Sequence, residues 1–471
     1  MTCGRDSLEC CLSLLILLVM SSAQNLLTAP IAPTLKKMTI QVLWGMIMLM
    51  SFNLVDTYFI GLLGTDELAA ISFTFPVTFT IISLSIGLGI GTSAVIAKAR
   101  GAGNEEEAKN DGLAALMLSF LLVASLAFVT YLSTDLIFTT LGANEELLPV
   151  IHDYMDIWYI GAVFLMSPMV GNAVLRASGD AKTPSMIMAS GGIINAILDP
   201  LLIFGLGPFP ELGIKGAAIA SVIAWACGLV IVIYILAVKR KLICVRLLPL
   251  NEFWLISRKI LTIGLPAAGA NMLTPIAMAI LTAMIAVHGN AAVAGFGVGT
   301  RIESIASMVV LALSMTLPPF ISQNFGAKQW DRVEQAYKTV IRFVLVWQAG
   351  VYLVLLLAAG GIALAFGKDD PEVMMVIKLF LWTLPLGYGL QGVIILSNSS
   401  FNALHKPMSA LILSIIRLFV FYVPFAYMGS MYLGLTGLFV GALIGNVFTA
   451  IIAYVWFTRA LQKPEPQTSV A

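Results

Sequence analysis

Uninterrupted apolar runs recur from one end of this chain to the other, each at or above the roughly 18 residues that a bilayer crossing requires. Lipid offers no hydrogen-bond partners, so spanning segments must satisfy their own backbone, as helices or as a closed barrel. The runs are continuous rather than alternating, which excludes the barrel. Composition agrees: 59% of the 471 residues are hydrophobic and 11% charged, against about 25% charged in a soluble domain. The expected fold class is an all-α polytopic membrane protein with twelve transmembrane helices. A net charge of +1 gives no reason to expect a nucleic-acid partner; the surroundings should be membrane lipid.

Charges, glycines and prolines bound the runs at 38–63, 69–97, 112–134, 150–176, 183–206, 213–238, 256–287, 291–322, 336–366, 371–402, 407–429 and 433–458. With the N-terminus inside, the inner segments hold Lys36, Lys37, Lys98, Arg100, Lys239, Arg240, Lys241, Arg246, Lys328, Arg332, Lys406 and Arg459, among others. The outer segments hold only Lys215, Lys368 and Lys378; the acidic outer residues Asp66, Glu67, Asp369 and Asp370 carry little weight. Lys and Arg favour the cytoplasmic side, so both termini are expected there. The resulting division is a leader and cytoplasmic segment (1–37), a first lobe (38–238), a cytoplasmic inter-lobe loop (239–255), a second lobe (256–460) and a tail (461–471). Cys11 to Met20 resembles a signal-peptide core, yet Arg5, Asp6 and Glu9 precede it, so the leading part is not clearly basic. It reads better as a loosely ordered leader or an over-long start, with Met20 close to the working N-terminus.

The two lobes repeat. Gly64 matches Gly289, and Gly101-Ala102 matches Gly326-Ala327, both at an offset of 225. Lys182-Thr183-Pro184 matches His405-Lys406-Pro407 at 223, and Gly213-Ile214-Lys215-Gly216 matches Gly434-Leu435-Thr436-Gly437 at 221. Six helices per half is an even number, so both halves insert in the same sense. Their pseudo-twofold axis then runs along the membrane normal, as in transporters built from parallel repeats.

An ionisable residue inside a membrane helix costs roughly 2.5–3.5 kcal/mol and is a functional candidate by default. Asp56 follows Asn53 by three residues, and Asp199 follows Asn195 by four, so each pair shares a helix face. At 1.5 Å per residue, Asp56 and Asp199 lie roughly 27 and 24 Å up from the inner side, and Ser221 roughly 12 Å down from the outer side. Asp56, Asn195, Asp199 and Ser221 therefore fall in one layer, with Asn53 as a supporting polar group. Such a site takes up a proton or binds a small cation through oxygen ligands. The competing readings are interfacial carboxylates, and an Asn195–Asp199 pair that merely satisfies a helix broken by Pro200. The second lobe has Leu281 where the offset places the mate of Asp56. It holds Arg301, Glu303 and Arg417 instead, as an internal ion pair or as cavity lining.

Cys3, Cys10, Cys11, Cys227 and Cys244 show neither metal spacing nor a disulfide framework. His152, His288 and His405 lie near predicted helix ends. No metal site, organic cofactor or catalytic triad is expected, and a membrane enzyme is disfavoured.

Over roughly residues 30–460 the chain resembles the MATE family, the multidrug and toxic compound extrusion transporters. Asn53-Leu54-Val55-Asp56-Thr57 with Gly61 and Leu63-Gly64 carries the likeness. So do Arg176-Ala177-Ser178-Gly179-Asp180 with Lys182-Thr183-Pro184, Asn195 to Pro200, Lys215-Gly216-Ala217-Ala218 and the repeat. The resemblance implies a V-shaped pair of lobes and antiport of amphiphilic, often cationic drugs by alternating access, driven by H⁺ (favoured) or Na⁺. It also implies residence in a plasma membrane, a bacterial inner membrane, as a monomer. Carried over by position, Asp56, Asn195, Asp199 and Ser221 match the family's N-lobe coupling site. The absence of an acidic residue between Ile260 and Val287 points to the DinF-like branch. Gln41 stands where the family often has a proline, while its repeat mate Pro266 remains, so the first helix is expected straight or gently curved. A flippase for a lipid-linked sugar is the alternative, although its cavity should be lined with Arg and Lys.

Overall fold

The computed structural model describes residues 25–246, 248–367 and 370–462. Cys3, Cys10, Cys11, the apolar run before Gln24, Lys368, Asp369 and the end of the tail lie outside the described residues. The described chain is built of helices between Ile31 and Gln462 and divides into two compact units. The first holds Lys36–Gly264 with the described residues before Pro30; the second holds Pro30–Leu35 and everything from Leu265.

In chain order the helices are α1 (Ile31–Gly61), α2 (Thr65–Gly101), α3 (Glu105–Leu132), the short α4 (Thr134–Thr140), α5 (Leu148–Ala177), α6 (Lys182–Ile203) and α7 (Ile214–Tyr234). They continue as α8 (Leu250–Ala286), α9 (Asn290–Ala306), α10 (Met308–Gly326), α11 (Trp330–Phe366), α12 (Pro371–Thr383), α13 (Tyr388–Ala403), α14 (Pro407–Ile415) and α15 (Val423–Gln462). Among the described residues eleven helical stretches are long and apolar enough to span a membrane. The last, Pro407–Gln462, is cut by non-helical backbone at Leu433 and Gly434, so it supplies two crossings and brings the number to twelve. The chain is an all-α integral membrane protein.

Lipid is as apolar as leucine, so close packing rather than hydrophobic burial holds such helices together. Small residues make that possible. In the second unit a Cβ at Gly429, Gly437 or Gly441 would collide with the main chain opposite, so the two arms of α15 meet backbone to backbone. In the first unit Gly216 lies against the Leu202 carbonyl in the same way. Large apolar side chains such as Trp44, Leu54, Phe128, Val230, Val346 and Leu357 are exposed, as lipid-facing groups are.

The repeat is written in the backbone of each unit. Gly213 has φ 57°, ψ −133°, and Gly434, 221 residues on, has φ 59°, ψ −142°. Both need the left-handed half of conformational space, which glycine enters without steric cost. Gly103 and Lys328, 225 apart, also share a positive φ.

Several boundaries differ from the sequence reading. α1 begins at Ile31 rather than 38, directly after Pro30, whose missing N–H costs nothing at a helix start. α8 begins at Leu250, inside the segment expected as a loop to 255. There Glu252 accepts a hydrogen bond from Asn110 (2.7 Å) and Lys259 pairs with Glu107 (3.1 Å), which fastens the helix to α3. The span expected at 291–322 breaks at Ser307, and the Ala306 carbonyl accepts from Gln348 Nε2 (3.0 Å). The span 371–402 passes through a 3₁₀ turn, Leu384–Gly387, at Pro385, which has no N–H to give. The span 407–429 contains a π-helical stretch, Ile416–Tyr422. α1 is unbroken, in keeping with the absence of an internal proline after Pro33.

Candidate functional site

Two contacts set α1 against α6. A Cβ on Gly45 would lie 2.9 Å from Ser185 Cα, and a Cβ on Gly192 would fall on the ring of Phe52. Seven residues separate the contacts on each helix, so the two run side by side for two turns. The start of α6 is itself pinned. Buried Asp180 accepts from the Thr183 amide (3.0 Å) and hydroxyl (2.7 Å) and pairs with Arg240 at 2.9 Å. Asp56 follows Phe52 by one turn and is thereby delivered to the level of Asp199.

The four candidate residues of the first unit come together. Asn195 Nδ2 donates to Asp199 Oδ1 (3.0 Å) and to Ser221 Oγ on α7 (3.3 Å), which uses both amide hydrogens. Asp199 is fully buried and Asp56 half-buried. Their carboxyl groups lie within hydrogen-bonding reach of each other. Asp56 Oδ1 and Asp199 Oδ2 are buried, and among the described residues no group donates a hydrogen bond to either. Acceptors outnumber donors at this spot, and one proton, or a small cation, would correct the count. α6 stays helical through Pro200, and Asn195 serves side chains rather than the main chain, so this pair does more than patch a broken helix. Asn53 stands apart: it is exposed, and its carbonyl accepts the Thr57 hydroxyl (2.8 Å).

Sequence reasoning missed Tyr154 on α5, a phenol close to both carboxyls. Nothing in Asp153-Tyr154-Met155-Asp156 distinguishes it from an interfacial aromatic. It also missed Asp111, fully buried on α3, with Glu107, Glu252 and Lys259 as charged neighbours; among the described residues nothing donates a hydrogen bond to either of its oxygens.

In the second unit Arg301 is exposed, and among the described residues it forms no ion pair. Glu303 accepts from Gln391 Nε2 on α13 (3.1 Å), a partner the sequence did not suggest. Arg417 lies within electrostatic reach of Glu303, but the two form no direct ion pair; its guanidinium carbon sits 5.7 Å from the centre of the Tyr422 ring. The ion-pair alternative thus gives way to a looser cluster, because the π-helical turn carries Arg417 onto the ring instead. Among the described residues no three His, Cys, Asp or Glu side chains gather as a metal site. His152 is held by Asp135 (2.7 Å) and Asp156 (3.3 Å), and His288 by Ser430 (2.9 Å).

Comparison with known proteins bears on this arrangement. A sequence profile described as MatE matches residues 42–201 and 266–428, one stretch in each half. A protein of Shewanella oneidensis named FAD transporter is 42% identical over 450 residues, covering 96% of this chain and 99% of its own. The probable multidrug resistance protein YoeA of Bacillus subtilis is 28% identical, covering 86% of this chain and 88% of its own. Among solved structures, the Vibrio cholerae MATE transporter VcmN in its bent form superimposes with a TM-score of 0.87 at 36% identity, covering 92% of this chain and 97% of that one.

Proposed function

The chain belongs to the MatE family of transporters, and from that premise we propose that it is an antiporter driven by cation uptake, with the proton as the favoured ion, at the Asp56–Asp199 pair. The observation that carries the reading is the pair itself: two neighbouring carboxyls, each with a buried oxygen that receives no hydrogen bond. With both ionised, the charges repel across a poorly hydrated contact. One shared proton turns that repulsion into a hydrogen bond. The proton therefore has a different free energy in a conformation that closes the pair than in one that opens it, and only such a difference shifts a conformational equilibrium.

The element that responds is α1. It touches α6 through Gly45 and Phe52, while Ile40, Trp44, Leu54 and Tyr58 along it are exposed. An open groove of about 340 Å³, lined by Gln41, Trp44, Met48, Lys182 and Met186, runs along the seam between the two helices. Asn195 stays bound to Asp199 and Ser221 and keeps α6 and α7 together as α1 shifts. Proton entry from outside and release inside, out of phase with the cargo, completes the cycle.

The cargo we propose is FAD, on the strength of the relative that is 42% identical over nearly the whole chain. Export of amphiphilic cations is the second reading, favoured by relatives named for multidrug resistance at lower identity. The working form is proposed to be a monomer in a bacterial inner membrane with both termini cytoplasmic. Inside-out vesicles carrying the protein test the cargo and the coupling ion together. Uptake of FAD driven by an imposed pH gradient in sodium-free buffer is expected. Uptake of a cationic dye in place of FAD would favour the second cargo, and a strict sodium requirement would refute the proton.

A further inference from the structure

The second unit carries a polar cluster that the coupling cycle above does not use. Arg417 lies ten residues into the crossing that starts at Pro407, roughly 15 Å deep. A guanidinium at that depth normally has a partner of opposite charge. Here the ring of Tyr422 covers one face, and among the described residues no hydrogen bond or ion pair engages its N–H groups. Glu303, the carboxylate within electrostatic reach, is served instead by Gln391 at 3.1 Å. Tyr388 is 3% exposed, its hydroxyl has no hydrogen-bond partner among the described residues, and Glu303 and Tyr422 are its charged and aromatic neighbours. The cluster differs from the first unit's site: Arg417 and Tyr388, donors that engage no hydrogen bond among the described residues, both neighbour Glu303 and Tyr422. The backbone is unusual at the same point, since Arg417 and Tyr422 both sit on the π-helical stretch Ile416–Tyr422, a feature that often marks functional positions.

We propose that Arg417 and Tyr388 form an anion-binding site for the phosphate groups of the cargo, with Glu303 as the internal counter-charge that the cargo's phosphate supplants. Guanidinium geometry suits phosphate, offering two parallel N–H donors. Glu303, held by Gln391, limits how tightly the anion is kept, as a transporter that must release its cargo requires. This rests on the reading of FAD as cargo and adds which part of the dinucleotide is recognised.

The test uses the purified full chain in detergent and flavin fluorescence anisotropy. The wild type is expected to bind FAD, to lose it to inorganic pyrophosphate, and to bind riboflavin, which has no phosphate, much more weakly. Arg417→Gln should weaken FAD and pyrophosphate by roughly ten- to a hundredfold and leave riboflavin unchanged. Arg417→Lys should restore part of the loss. If the Gln variant does not survive purification, Tyr388→Phe decides, because it removes only a hydroxyl; a severalfold loss for FAD with none for riboflavin is expected. Wild-type FAD affinity in Arg417→Gln or in Tyr388→Phe, or no competition by pyrophosphate, overturns the site. The two readings separate cleanly. Export of FAD by Arg417→Gln with an unchanged KM removes the site and keeps the cargo. Pyrophosphate binding that depends on Arg417, in a protein that exports no FAD, removes the cargo and keeps the site.

Discussion

The two units share a repeat and differ in what they bury. Asp56, Asn195, Asp199 and Ser221 of the first correspond, at the offsets of their own helices, to Leu281, Leu418, Tyr422 and Ala442 of the second. Leu281 and Ala442 are fully buried and belong to one apolar cluster with Phe380 and Phe439. Conversely, Glu303 and Gln391 of the second unit correspond to Thr78 and Pro168 of the first. The glycines and helix ends repeat; the polar residues do not. Backbone geometry constrains only the small residues at close contacts. Each unit was therefore free to bury a different charge, at the cost of supplying that charge with partners.

The sharpest way to break this comparison is to remove the titratable group from one unit and add it to the other. Asp56→Asn keeps the shape of the side chain and its helix, so folded protein should be recovered at wild-type yield. Coupled transport should fall by about two orders of magnitude or more, because an amide cannot exchange a proton. Wild-type export by the variant would sink the coupling role. The converse change, Leu281→Asp, puts a carboxylate at the matching position without Asn, Ser or a second carboxyl to receive it. It should cost about 3 kcal/mol, seen as a lowered melting temperature in detergent, and create no second coupling site. A stable variant would mean the second unit can host the same chemistry.

Smaller effects sharpen the shared part. Gly437→Ala drives a Cβ into the Gly429 carbonyl, and Gly216→Ala drives one into the Leu202 carbonyl. Each should destabilise by about 1–3 kcal/mol. Closely similar losses are expected, since both guard the same hairpin of the repeat; loss confined to one unit would argue that the likeness is superficial. Gln41→Pro makes α1 resemble its mate around Pro266. Within a membrane helix the penalty is less than the roughly 3 kcal/mol seen in water, because neighbours and local adjustments re-satisfy the freed carbonyl. A modest loss of stability and no gain in transport rate is the expected result, and faster FAD efflux would show that α1 lacks a hinge it could use.

Much of the candidate site was legible beforehand because its members obey one-dimensional rules. Asn195 and Asp199 are one helical turn apart, and depth follows from counting residues along a crossing. Tyr154, Gln391 and Tyr388 were not legible, since each meets its neighbours only across helices and an aromatic or amide in a membrane helix has many uses. The Glu303–Arg417 relation was left open between a pairing and a cavity lining and is found as a looser cluster, because a π turn redirects a side chain without leaving any mark in the residue order.

The sequence by itself determined that this chain crosses a membrane about twelve times as helices, that it is built from two matched halves, and how far along its helix each carboxylate lies. Those follow from apolar run length, from the cost of an unsatisfied backbone in lipid, and from the regular rise of a helix. Only the tertiary structure decided which polar groups touch. Helix rotation and approach depend on small residues such as Gly45 and Gly192 meeting their neighbours, and that is settled by three-dimensional packing rather than by spacing along the chain.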